Sequence, residues 1–163
     1  MVNLSEMILM GIFATLFMDL LAKSLVKSKI LRGTIEPHII GRWTLYMLKG
    51  KFIHPDINQT TALKNEKPAA LISHYLIGIA LIGIYLLLEI KIPAIRTQLW
   101  MPLVFGAATS LLPWLWLYPS IGIGFFGSKS KRKWDYIIFS TINHINFGIG
   151  MAVWIVVFRG FFV

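Results

Sequence analysis

The sequence predicts an all-α membrane protein: four transmembrane helices in two parallel-related hairpins, plus a short interfacial amphipathic helix in the first cytoplasmic loop. Three observations predict it. Of 163 residues, 56% are hydrophobic and only 14% are charged, against about 25% charged in ordinary soluble domains. The mean hydropathy is +0.70, and so small a soluble domain could not bury that much apolar surface. Four runs reach the about 20 apolar residues needed to cross roughly 30 Å of hydrocarbon. Continuous apolarity favours helices over the alternating strands of a barrel. The chain is expected to form a single transmembrane domain over residues 1–163.

The first run extends from Met7 to Val26 and is broken only by Asp19 and Lys23. It lacks a basic leader and contains an acid, so a retained helix is expected rather than a signal peptide. The second runs from Ala69 to Leu88, with Pro68 just ahead of it, where a first helical turn tolerates proline. The third runs from Leu99 to Pro119 and contains Pro113, which removes one helix bond and frees the Thr109 carbonyl. The fourth runs from Tyr136 to Phe158.

The net charge is +9, and its distribution predicts orientation. Thirteen of the 16 Lys and Arg residues follow the first or third run; only Lys91, Arg96 and Arg159 do not. The positive-inside rule then puts both basic loops in the cytoplasm and both termini outside. The expected partner at that face is a bilayer with anionic headgroups, and nucleic acid is not expected. The first loop carries Ile39, Ile40, Trp43, Tyr46 and Met47 at helical spacing behind Pro37, which predicts the interfacial helix over residues 36–49.

Two strings recur. His74-x-x-x-Gly78-Ile79 in the second run matches His144-x-x-x-Gly148-Ile149 in the fourth. Ala14-Thr15 precedes Asp19 as Ala108-Thr109 precedes Pro113. This pattern suggests hairpins related by an axis along the membrane normal.

Ionisable groups inside a span are costly and usually face a protein interior. Asp19, His74 and His144 fall at similar depth near the cytoplasmic side, with Asn143 and Asn146 beside His144. The stripes Gly11, Thr15, Asp19 and Ser140, His144, Gly148, Ala152 are expected to face each other. Asp19 would then pair with His144, with His74 nearby, in a polar pocket open to the cytoplasm. Alternatively, Asp19 pairs locally with Lys23. His38, His54, His74, His144, Asp19 and Glu66 show no metal-site spacing, so no metal is expected. No cofactor is expected either. There is no cysteine, which excludes disulfides and thiolate sites. Gly122-Ile-Gly124-Phe-Phe-Gly127 imitates a nucleotide loop but follows no strand, and reads as a turn.

The ordered set Met18-Asp19-Leu20, Gly41-Arg42-Trp43, Gly50-Lys-Phe-Ile-His54, Glu66, His74-Tyr75, Pro113, Tyr118-Pro119 and Asn143-His144 resembles a bacterial inner-membrane family known as domain of unknown function 2938. Tyr118 stands where the family pattern has glutamine. The resemblance implies a four-helix inner-membrane protein without an established activity, and adds Arg42, His54 and Glu66 to the candidate residues.

The expected function is a small ligand-binding or transporter-like bundle, with Asp19, His74, Asn143, His144, Thr15, Arg42, His54 and Glu66 as ligand-binding candidates. Four helices are few for a transport path, so a homodimer or a membrane-complex partner is expected. One alternative is a membrane enzyme acting on a lipid or hydrophobic small molecule, with His144 as base and Asp19 orienting it. Another is an accessory subunit of a membrane complex, with the polar residues as clasps.

Overall fold

A computed structural model describes residues 3–33 and 35–162. It is all-helical among these residues, and four helical segments are long and apolar enough to cross a membrane. Helix α1 spans Leu4–Lys27. It starts where Asn3 Oδ1 accepts the Ser5 and Glu6 amides at 3.1 and 3.2 Å, satisfying donors that a helix leaves open. It ends before Lys29, whose φ of +60° breaks the helical path. The short α2, Pro37–Met47, begins with proline in its first turn. Helix α3 spans Glu66–Lys91 and is followed by α4, Pro93–Thr97. The third span covers Met101–Ser120. It comprises α5 at Met101–Thr109, a π-helical turn at Pro113–Leu117 and α6 at Tyr118–Ser120. Helix α7 spans Lys133–Val157.

The long helices overrun the apolar runs, taking in polar turns such as Lys133-Trp-Asp135. Hydropathy marks the apolar stretch, whereas capping and backbone bonding mark the helix ends. The short α4 falls between the second and third apolar runs, with Pro93 in its first turn. Pro113 opens one π turn rather than a simple break, and the Trp114 amide reaches back only loosely, at 3.4 Å, to the Ser110 carbonyl.

Helix α1 packs on α3 and on α7, α7 packs on α5, and α2 packs on α3. Helices α3 and α5 do not form a packed pair; they meet through the Tyr85 and Phe105 rings, 5.2 Å apart. The main core lies in the half nearer the termini and is centred on Met10, Ile82, Tyr85, Met151 and Trp154. A second core under α2 joins Ile39, Trp43, Ile57 and Ile121. Outward faces are apolar, with Leu71, Ile72, Leu76, Ile84 and Leu87 of α3 exposed, which suits contact with acyl chains rather than water.

Glycine decides which helix faces meet. A Cβ on Gly11 would stand 2.6 Å from the Ile79 Cα, and one on Gly148 would stand 2.9 Å from the Leu103 Cα. The two small-residue stripes therefore do not face each other. Gly11 and Thr15 lie against α3, while Gly148 and His144 lie against α5. Helix α1 instead meets α7 through Gly150, where a Cβ would come 2.9 Å from the Ala14 Cα. Each stripe serves close approach to one helix, Gly11 to α3 and Gly148 to α5, and not the contact between α1 and α7.

Candidate functional site

The stripe geometry separates Asp19 from His144. Asp19 Oδ1 bonds His74 Nε2 at 3.0 Å, across the α1–α3 contact. His144 Nδ1 bonds Thr109 Oγ1 at 2.7 Å, across the contact between α7 and α5. The expected Asp19–His144 pair is thus replaced by two separate pairs. Lys23 does not take part, since the carboxylate reaches an imidazole on the neighbouring helix.

Both imidazoles nevertheless line one cavity of about 190 Å³ between α1, α2, α3, the third span and α7. Thr15, Thr44, Ser73, His74 and His144 supply its polar groups. The remaining wall is apolar, formed by Met18, Ile77, Leu81, Leu112, Trp116, Phe147 and their neighbours. Helix α2 closes the loop end, where the Trp43 ring meets Trp116 edge-on at 5.6 Å. The packed core lies toward the termini. Among the lining residues there is no Asp, Glu, Lys or Arg.

Hydrogen-bond direction follows from the partners. Thr109 Oγ1 donates to the Gly106 carbonyl at 2.6 Å, so its lone pairs are what it offers His144. The ring must then carry its proton on Nδ1 and donate to Thr109, which leaves Nε2 as an acceptor without a partner in the protein. His74 donates from Nε2 to the Asp19 carboxylate. Thr15 Oγ1 is fully buried and also lacks a partner.

The other sequence candidates lie elsewhere. Arg42 and Glu66 hold each other: Nε donates to Oε1 at 2.6 Å and Nη2 to Oε2 at 3.2 Å. Arg42 Nη1 also donates to the Ile57 and Thr60 carbonyls, at 3.3 and 3.1 Å. Glu66 Oε1 accepts the Leu63 amide at 2.7 Å. The Glu66 bond, more than any other influence, holds the Arg42 guanidinium above its ordinary pKa. His54 is buried, with Nδ1 3.2 Å from Thr60 Oγ1, and the Tyr46 ring stands edge-on to it at 5.1 Å. Burial first, and the charge of Lys51 second, hold its ring below the ordinary histidine value. Its amide donates to the Ser120 carbonyl at 2.7 Å and that of Ile57 to Ile121 at 3.1 Å, tying the loop to the third span. These three residues fasten α2 and its loop and do not line the cavity. Asn143 is also outside the lining, with a buried Oδ1 that has no partner.

The glycine-rich segment is a turn, with φ of +94°, +81° and +71° at Gly122, Gly124 and Gly127. Gly122 sits hard against the Pro55 carbonyl, where no side chain fits. Among the described residues no cluster of three His, Asp or Glu side chains is placed to hold a metal ion.

Sequence reasoning missed Thr44, Ser73 and Thr109 as site residues. Thr109 had a signal, the repeated Ala-Thr pair, but its partner was not readable. It also missed a buried cluster near the termini. Arg159 Nε donates to Glu6 Oε1 at 2.7 Å and Nη1 to Glu89 Oε1 at 2.9 Å. Two acids and a base near the ends of apolar runs were the available signal.

No curated protein and no solved structure matches the chain significantly. A family model matches residues 8–158, nearly the whole chain. The chain belongs to the family described as "Protein of unknown function (DUF2938)".

Proposed function

We propose that the protein is a small ligand-binding, transporter-like protein of the bacterial cytoplasmic membrane, and that the cavity bearing His74 and His144 is its binding site. The observation that carries this reading is the convergence of two imidazoles and three hydroxyl side chains on one otherwise apolar cavity. Ligand pockets are mostly apolar, with a few convergent polar groups that fix orientation. In this reading the two helix pairs α1–α3 and α5–α7 are related hairpins and α2 is an interfacial helix. The loop end faces the cytoplasm, and its lysines meet anionic headgroups. The packed core then closes the outer half, which supports a site reached from the inner half.

The enzyme reading has less support. Asp19 orients His74 rather than His144, and the hydroxyl bonded to His144, Thr109 Oγ1, gives its proton to the Gly106 carbonyl rather than to the ring.

The test compares small molecules that co-purify with the wild-type protein and with Leu112→Trp, which fills the cavity from its rim. The expected result is a species retained by the wild type and lost from a variant with unchanged thermal stability. Equal recovery of every extracted species from both proteins overturns the reading.

A further inference from the structure

We infer that the ligand is a neutral, bilayer-dissolved molecule with a hydroxyl at its polar end, entering sideways between α3 and the third span. The inference rests on the cavity being a binding site, and it specifies the chemistry of the occupant.

The route follows from helix packing. Helices α3 and α5 do not pack as a pair, and the cavity lies in the gap between α3 and the third span. Ile77, Leu112 and Trp116 line the cavity and are also among the exposed residues, at 48%, 40% and 52%. They therefore form a mouth, and the mouth is apolar. Ile77 lies well inside the 26-residue α3. At 1.5 Å per residue it stands roughly 17 Å from the helix start, at the depth of acyl chains. The π turn helps make the opening: it begins at Pro113, a lining residue. At about 190 Å³ the cavity is smaller than common ligand pockets of roughly 300–1,000 Å³. Part of the occupant therefore trails out through the mouth among the lipids.

The polar end follows from hydrogen-bond bookkeeping. No Lys or Arg lines the cavity, so a carboxylate or phosphate would enter without a counter-charge, which low-dielectric surroundings penalise heavily. A quaternary or primary ammonium would likewise meet no lining carboxylate, because Asp19 is engaged with His74 behind the wall. Thr109 fixes the proton of His144 on Nδ1. His144 Nε2 is then an acceptor with no partner in the protein. An O–H donor satisfies such a nitrogen; an ether or ester of the same size leaves it unpaired.

Because the chain has no cysteine, a single Ser73→Cys substitution reports on the cavity alone. Its labelling rate by N-ethylmaleimide is measured in lipid nanodiscs with decan-1-ol, decyl methyl ether or decanoate at matched bilayer mole fraction. The alcohol should protect about fivefold better than the ether, the worth of one hydrogen bond. His144→Ala should lower protection by the alcohol to that by the ether. Equal protection by alcohol and ether, or best protection by decanoate, overturns the hydroxyl assignment while leaving a binding cavity. Protection by none of the three overturns the cavity reading as well. The alcohol–ether comparison is made within one protein, so it stands even if His144→Ala fails to fold.

Discussion

Removing one partner of the Arg42–Glu66 pair should undock α2 from α3. The side chains are only 10% and 9% exposed, and the guanidinium makes four hydrogen bonds, two to Glu66 and two to loop carbonyls. Arg42→Met strands a buried carboxylate that keeps only the Leu63 amide. Glu66→Leu strands a buried guanidinium. Breaking such a pair from one side costs about 3–5 kcal/mol. Exchanging both partners for apolar residues removes both stranded charges, so the double variant should recover about half or more of either single loss. Arg42→Lys should not rescue, because an ammonium cannot form the two parallel bonds. The assay is reversible unfolding in detergent, followed by tryptophan emission. Trp43, 4% exposed in the wild type, should shift to the red as α2 leaves. Single losses below about 1 kcal/mol, or a double loss equal to their sum, would refute the argument that this pair is a desolvated clamp.

Three further outcomes follow from the same physics. Gly148→Ala should destabilise by about 1–3 kcal/mol, because its Cβ would meet the Leu103 backbone at 2.9 Å. Gly83→Ala should be neutral or stabilising by up to about 1 kcal/mol, since its Cβ meets only the flexible Met7 side chain; calorimetry of the two variants side by side checks the contrast. Arg159→Met should cost more than Glu6→Gln or Glu89→Gln, because it leaves two buried carboxylates facing each other without their shared donor; equal losses in thermal unfolding would count against this. His54 binds its proton less readily in the folded protein than in the unfolded chain, through burial and then Lys51. Its contribution is therefore complete above the ordinary pKa of about 6.5 and erodes as pH falls below it. His54→Gln should flatten that acid limb in unfolding curves taken between about pH 5 and pH 8.

Much of the frame was legible because it depends on quantities additive along the chain. Four apolar runs gave four helices, and Pro37 with the Ile39–Trp43 spacing located α2 to within two residues at each end. That Asp19, His74 and His144 share one level of the bundle was also legible, because rise per residue converts position into height along a helix. Their partners were not. Azimuth around a helix is set by which face the neighbour can approach, and Gly11, Gly148 and Gly150 decide this by admitting backbone that an added Cβ would meet at 2.6, 2.5 and 2.9 Å. Those close approaches turned the α1 stripe toward α3 and the α7 stripe toward α5, giving His74 to Asp19 and His144 to Thr109.

The sequence alone therefore determined the number of helices apolar enough to cross a membrane, their polar content and the basic loops between them. Only the tertiary structure decided that Arg42, His54 and Glu66 fasten the loop, that Glu6, Glu89 and Arg159 meet, and that the two imidazoles share a cavity without sharing a bond. The reason is physical: hydropathy and charge act residue by residue, whereas hydrogen-bond partnership requires two helices to agree on distance and rotation at once.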